Sequence, residues 1–135
     1  MKIKIYQIDR DRDNGSYSFT NYENTVKRTG GVIRSGIYNC AFDGEVLCNN
    51  LEEVYGKFND DIPSGFKGHS LSVSDIVEIA DSDSIKQGFY FCDSIGFKKV
   101  SFEPEKAKQR DQEHFMKIND ETQKSKYKPE RNEAR

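Results

Sequence analysis

Alternating apolar and polar residues predict a β-strand at the start of the chain. Ile3 and Ile5 are flanked by Lys2 and Lys4, and the segment ends at Ile8. Successive residues of a strand point to opposite faces, so this pattern gives a strand with one buried face. The charged segment that follows, residues 9–15, is predicted to be a loop.

A second pattern predicts a hairpin over residues 37–48. Its turn is placed at Asp43-Gly44, because this dipeptide suits a two-residue hairpin turn. In that register Cys48 lies opposite Asn39 and on the other face from Cys40, which disfavours a disulfide between the two cysteines. The three cysteines, an odd number without a CxxC motif, are interpreted as buried small residues in a reducing compartment; they are Cys40, Cys48 and Cys92.

The best helical pattern covers residues 50–59. Asn50 is a candidate N-cap, and Glu53 follows at the spacing of a capping box. Apolar residues recur at i, i+3, i+4 and i+7, namely Leu51, Val54, Tyr55 and Phe58. The stripe is expected to pack on a sheet. A shorter helix is predicted for the polar segment that ends at Arg28, before Gly30-Gly31.

The chain between residues 63 and 102 predicts a β-meander. Its strands are placed at residues 71–73, 76–79, 89–92 and 97–102, where β-branched and aromatic residues stand between turn-forming ones. The fold class is therefore α+β. We expect a small, mostly antiparallel sheet, made of the N-terminal strand, the hairpin and the C-terminal meander, packed by one or two short helices.

Pro104 marks the predicted end of this domain. Residues 1–104 form the α+β domain, and residues 105–135 form a charged tail that is helical or partly disordered. A tail helix over residues 105–124 is expected to dock near residues 115–118, and the basic end, residues 124–135, either contacts nucleic acid or stays disordered.

Composition limits the class of protein. Of 135 residues, 34% are hydrophobic and 33% charged, enough for one compact core. No run approaches the roughly 20 apolar residues of a membrane span, and no secretory signal is seen, so a soluble, cytoplasmic protein without membrane contact is expected.

The charge is unevenly distributed. The net charge is −2, but residues 43–83 contain ten acidic and two basic residues. This segment is interpreted either as a solvated face or as a surface for a basic partner. The residues proposed for that surface are Glu52, Glu53, Asp60, Asp61, Asp81 and Asp83.

The sequence contains no motif that indicates a metal or cofactor site. The two histidines, His69 and His114, are far apart in sequence and show no ligand spacing. The alternating aspartates after Ile8 resemble the start of a calcium loop, but Asn14 stands where its glycine is required. No glycine-rich phosphate loop is present. No metal and no cofactor are therefore expected.

One set of loop residues invites comparison with a catalytic dyad. His69 and Ser70 are adjacent, and Asp75 and Asp93 are candidates to lie near them. A His–Asp pair can act as a general base. The alternative is a loop histidine that only makes hydrogen bonds, and we assign no catalytic residue.

An aromatic cluster has two interpretations as well. Tyr90, Phe91 and Phe97 either stack nucleic-acid bases on a sheet face or pack in the core. No basic cluster accompanies them in the sequence, which favours the core.

Four stretches resemble the YodL-like domain family of Gram-positive plasmids, conjugative elements and prophages. They are KIKIYQIDRDRD, LEEVYGKFN, PSGFKGHSLSVSDIVEI and FYFCDSIGFKKVSF, and GHSLSVSD and YFCDSIGF are the most specific. The resemblance covers residues 1–104. It implies no catalytic residues, and it implies a setting among anti-restriction and other counter-defence genes.

The sequence therefore leads to one principal hypothesis with two alternatives. The principal one is a non-catalytic mobile-element protein that binds and inhibits a host defence system, of the anti-CRISPR or anti-restriction type, with a CRISPR effector or a similar nucleic-acid-binding protein as partner. The alternatives are a nucleic-acid-processing enzyme, such as a guide-RNA nuclease, and an interaction module of conjugation or plasmid maintenance. The net charge of −4 over residues 1–104 is smaller than that of strong nucleic-acid mimics.

Overall fold

The computed structural model describes residues 1–109, which form a mixed α+β fold. The strands are β1 (Lys2–Ile8), β2 (Tyr38–Glu45), β3 (Ile76–Asp81), β4 (Gly88–Cys92), β5 (Phe97–Val100) and β6 (Lys108–Gln109). The helices are α1 (Arg10–Asp13), α2 (Tyr22–Thr29) and α3 (Leu51–Asp60), with single 3-10 turns at Ser35–Ile37 and Pro104–Lys106.

The strands form one six-stranded sheet in the order β5-β4-β3-β1-β2-β6. The first five strands pair antiparallel, and the two-residue β6 pairs parallel with β2. The predicted N-terminal strand is confirmed with its bounds, and β3, β4 and β5 form the predicted meander. The α+β class and the mostly antiparallel sheet are thus confirmed.

The predicted hairpin at Asp43-Gly44 is wrong. Both residues lie inside β2, a continuous strand that pairs along its length with β1, from Lys2 opposite Glu45 to Ile8 opposite Tyr38. The φ angle of Gly44 is not positive, whereas both central residues of a type I′ turn need a positive φ. The backbone of Gly44 therefore suits a strand. Pairing with the long β1 prevails over the local turn signal. The prediction that the three cysteines are buried and form no disulfide is confirmed.

Each face of the sheet carries its own hydrophobic cluster. The first is formed by the β1 residues Ile3 and Ile5 with Val77 and Ile79 of β3, and α3 packs on it. The second lies on the other face and includes Tyr6, Ile8, Ile33, Ile76 and Phe91. β1 alternates regularly between the faces, so Ile5 faces the first cluster and Tyr6 the second. The bulge lies in β2, because Ile5 pairs with Phe42 and Tyr6 with Cys40, which leaves Ala41 as the extra residue.

Helix α3 forms as its pattern predicts. The Asn50 side chain accepts a hydrogen bond from Glu53 N at 2.8 Å, and Glu53 Oε1 accepts one from Asn49 N at 2.8 Å. Leu51, Val54 and Phe58 are buried. Tyr55, the fourth residue of the predicted stripe, is 44% exposed. The helix predicted to end near Arg28 is also confirmed as α2, with Gly30 as its left-handed C-cap.

Three other predicted segments differ from the structure. Residues 71–73 are not a strand: Leu71 is buried, and the chain turns through Ser74, whose φ is 85°. Three alternating residues are too few to outweigh that turn. The final strand stops at Val100 and not at residue 102. Residues 9–15 contain the one-turn helix α1, which is capped by Asp9.

The described residues reach only the first few residues of the predicted tail. After Pro104 the described chain makes a 3-10 turn and then β6, so the sheet extends beyond residue 104 and residues 105–109 are not α-helical. The rest of the predicted tail, including His114 and the basic end, lies outside the described residues.

Candidate functional site

Gln7 connects the first strand to the GHSLSVSD motif inside the fold. Its side-chain amide donates to the backbone oxygen of His69 at 2.8 Å and to Asp75 Oδ2 at 2.9 Å, and its Oε1 accepts from His69 N at 3.1 Å. Gln7 and Asp75 are each 1% exposed. A Cβ at Gly68 would collide with Gln7 Oε1, which explains the glycine before His69. The strand and the loop are therefore fastened together by buried polar groups.

Asp75 is enclosed by the fold. Burial raises the pKa of its carboxyl group well above the ordinary value, and hydrogen bonds from Ser72 N and Gln7 lower it by less. Ser72 N donates to Oδ2 at 2.8 Å, and the Asp75 backbone oxygen accepts from Cys92 N at 2.8 Å. These contacts give Asp75 the role of a loop anchor.

His69 lies at the surface and not in a dyad with Asp75. Its Nδ1 is 2.7 Å from the backbone oxygen of Ser70 and 3.4 Å from Gln7 Nε2. Its ring packs at 5.6 Å, centroid to centroid, against Phe19, which is 58% exposed. Gln7 contacts both His69 and Asp75. The structure thus brings His69, Ser70 and Asp75 together near Gln7. Their contacts are hydrogen bonds that stabilise the loop.

Asp93 belongs to a different contact. Its Oδ1 accepts hydrogen bonds from Tyr22 N at 3.0 Å and from Ser94 N at 2.9 Å. Since Tyr22 begins α2, Asp93 fixes the start of that helix against the β4–β5 turn. No contact of Asp93 with His69 is found among the described residues.

Sequence reasoning missed a second polar network, around α1. Asp9 accepts from Asn39 Nδ2 at 2.9 Å and from the amides of Asp11 and Arg12, and Arg12 donates to Tyr38 O at 2.6 Å. Burial raises the pKa of Asp9, but these hydrogen bonds outweigh it and hold the pKa below its ordinary value. An Asp directly before a short polar run is an N-cap signal that was available in the sequence.

Asp13 is the other missed anchor. It is 4% exposed, and its carboxylate accepts from Tyr17 N at 2.8 Å, Ser18 N at 3.0 Å and Ser18 Oγ at 2.9 Å. The alternating aspartates that resemble a calcium loop are used here to cap a helix and to hold the following loop. In the described residues, no group of three or more His, Cys, Asp or Glu side chains could hold a metal ion.

The three aromatic residues predicted to form a base-stacking platform or part of the core lie on different faces of the sheet. Phe91 is fully buried in the second cluster, whereas Tyr90 and Phe97 are half-buried against the first. The Tyr90 hydroxyl donates to Lys86 O at 2.7 Å. One shared stacking platform for bases is therefore not formed, and the core interpretation holds for Phe91.

The thiols are protected by the same packing. Burial raises the pKa of Cys92 to about 12 and raises that of Cys48 above its usual value. A nucleophilic cysteine needs an accessible thiolate, which burial opposes at both positions.

All six carboxylates of the predicted acidic surface are exposed, and they fall into two groups. Ser84 Oγ donates to Asn49 O at 2.6 Å and joins the β3–β4 loop to the start of α3. The first group therefore lies at this end of α3: Glu52, Glu53, Asp81 and Asp83. The second group, Asp60 and Asp61, lies at the other end of the helix.

The stability of α3 accounts for the acidic residues at its start but not for those at its end. Negative charge is favourable in the first turn of a helix, where Glu52 and Glu53 lie, and unfavourable in the last. Asp60 is the last residue of α3 and Asp61 its C-cap. Lys57 lies between the groups, and its Nζ is 3.4 Å from Asp61 Oδ2. Asp60 and Asp61 therefore place charge where the helix itself disfavours it.

Comparisons with known proteins give one match. The family model of the YodL-like domain matches residues 2–102, which confirms the resemblance found in the sequence. No curated protein matches the chain, and no solved structure matches it. Among the helices of the described residues, none is long and apolar enough to cross a membrane.

Proposed function

We propose a function from the premise that this chain belongs to the YodL-like domain family. The protein is a mobile-element accessory protein that acts by binding. It inhibits a host defence protein by occupying part of a basic nucleic-acid groove with the acidic surface of α3 and the β3–β4 loop.

One observation carries this proposal: the exposed carboxylates of Asp60 and Asp61 at the C-terminal end of α3. Their position costs helix stability, because it opposes the helix dipole. Residues that work against the fold at an exposed position are candidates for function. A basic groove would balance their charge on binding.

The internal use of the motif residues supports a binding role as well. Asp75 and Asp93 accept hydrogen bonds from backbone amides, and Gln7 contacts both Asp75 and His69. These side chains stabilise the loops of the domain. They contribute to a rigid scaffold, which lowers the entropic cost of binding at its surface.

The modest charge limits the kind of contact. Residues 43–83 carry a net charge of −8, but Lys57 interrupts the acidic residues of α3. Asp60 follows Glu52 by eight positions, about 12 Å along a helix. We therefore expect the surface to cover a short section of a basic groove and not to imitate a long duplex.

Target cleavage by a purified type II CRISPR effector and its guide RNA tests this proposal. The reaction is run with and without excess protein, and the guide RNA from the same tubes is separated on a denaturing gel. Lost cleavage with intact guide RNA is the expected result. Undiminished cleavage would exclude this effector as the target, and a lysate pull-down that returned only transfer or replication proteins would favour the plasmid-maintenance alternative.

The same gel addresses the enzyme alternative. Shortened guide RNA would indicate nuclease activity, and His69→Ala would then be the first variant to assay. If the shortening disappeared in that variant, His69 would be a catalytic residue and the binding proposal would be wrong.

A further inference from the structure

A concave feature of the described residues lies on the face opposite α3. It is a cleft with two lobes of about 670 and 620 Å³, between residues 31–37 and residues 99–106. The lobes share four lining residues: Val32, Ile33, Ser35 and Glu103. Volumes of this size are typical of sites for small ligands.

A partly buried hydrogen bond holds the two walls together. Ser35 is 3% exposed, and its Oγ accepts from Glu103 N at 2.9 Å. This bond lies between the lobes and fixes the spacing of the two segments. The two segments that line the cleft are therefore fixed relative to each other.

The first lobe is basic. It is lined by Arg12, Arg34 and Lys106, with Glu103 as its acidic residue. Hydrogen bonds to Gly36 O, at 2.8 Å, and to Tyr38 O hold the Arg12 guanidinium in place. Arg34 lies over the Tyr17 ring at 5.7 Å, and Lys106 Nζ is 3.0 Å from Glu103 Oε1. Asp9 Oδ2 lies 3.2 Å from Arg12 Nη1, so the three cations and the two carboxylates leave a net charge of +1. This charge favours an anion, and arginine suits phosphate oxygens.

The second lobe has a different character. Its lining combines the apolar residues Tyr22, Val26, Val32 and Val100 with polar ones that include Lys99 and Ser101. Val32 is 59% exposed, so a flat apolar group can reach it. Aromatic and aliphatic walls of this kind accommodate the faces of nucleobases.

We propose that this cleft binds a nucleoside phosphate, with the phosphate in the basic lobe and the base against Tyr22 and the valines of the second lobe. The phosphate comes either from a free nucleotide or from the end of a single-stranded RNA, since both present the same groups. This site is separate from the acidic surface, which lies on the α3 side of the sheet.

Isothermal titration calorimetry with the full chain tests the proposal. The probes are ATP, a five-nucleotide RNA with a 5′-phosphate, and inorganic phosphate. We expect ATP or the RNA to bind, and inorganic phosphate to bind at least tenfold more weakly because it leaves the second lobe empty. Binding of ATP identifies the free nucleotide as a source, and binding of the RNA alone identifies a strand end.

Two charge reversals and a control locate the site. Arg34→Glu and Lys106→Glu should each raise the Kd tenfold or more. Lys98→Glu changes an exposed lysine that does not line the cleft and should change the Kd less than twofold. Equal effects of all three variants would show diffuse attraction and overturn the proposal. It would also be overturned if neither ATP nor the RNA bound at millimolar concentration, or if inorganic phosphate bound as tightly as ATP.

Discussion

Gln7 Nε2 donates a 2.9 Å hydrogen bond to Asp75 Oδ2 across 68 residues of sequence, in a region where both side chains are buried. Gln7 is in the central strand β1, and Asp75 immediately precedes β3. This bond fixes the loop that carries His69 to the middle of the sheet. The polar residues of the most specific motif are therefore used first to build the fold.

Loss of the Gln7 amide should destabilise the protein. Gln7→Met keeps the side-chain length but removes the bonds to His69 and Asp75, which leaves buried polar groups unpaired. We expect the free energy of unfolding to fall by about 2–4 kcal/mol. Urea unfolding measures it. Gln87→Met, at an exposed position, is the control and should change it by less than about 0.5 kcal/mol.

Asp75 should make stability depend on pH in an unusual direction. Because its pKa is raised in the folded state, the folded protein binds more protons than the unfolded chain above the unfolded pKa of about 3.9. Its contribution to stability therefore falls as pH rises from 4 toward the folded pKa. Asp75→Asn removes this titration, so wild-type stability minus variant stability should decrease between pH 4 and 8. A difference that rises with pH would show that the carboxyl group is ionised throughout.

Asp13 should be important for the loop that follows α1. Asp13→Ala leaves the amides of Tyr17 and Ser18 without their carboxylate acceptor. We expect a loss of about 2–3 kcal/mol, with faster hydrogen exchange at these two amides. Asp83→Ala, an exposed carboxylate, serves as control. Unchanged exchange at Tyr17 and Ser18 would contradict this role.

Asp60 should show opposite effects on stability and function. Asp60→Lys replaces an unfavourable charge at the end of α3 by a favourable one, and should raise the free energy of unfolding by about 0.3–1 kcal/mol. The same change should weaken inhibition of the target. A variant that is more stable and equally inhibitory would remove Asp60 from the binding surface.

Local patterns sufficed for some elements and not for others. Helix α3 combines an apolar stripe with a cap within ten residues, so the sequence alone predicts it. The hairpin prediction was wrong because Asp43 and Gly44 pair with β1. Local turn preferences do not take such a distant partner strand into account. Distant pairings such as β6 with β2 have no local signal.

The polar networks had a partial signal. Asp75 and Asp93 were identified as loop residues of interest, but their contacts, Gln7 and the Tyr22 amide, lie 68 and 71 residues away. Gln7, a polar residue between Tyr6 and Ile8 in a strand, is one of these partners. Its hydrogen bonds to the loop depend on the tertiary fold, so the local sequence does not predict them.

The most direct test of the account is inhibition by matched charge-reversal variants. Target cleavage by the purified type II effector is titrated with the wild-type protein, with Glu52→Lys/Asp60→Lys and with Glu23→Lys/Glu105→Lys. Each pair changes the net charge equally, and all four residues are exposed. We expect stoichiometric inhibition by wild type and control, and at least tenfold weaker inhibition by the α3 pair, with intact guide RNA throughout. Equal inhibition by all three proteins, or shortened guide RNA, would contradict it.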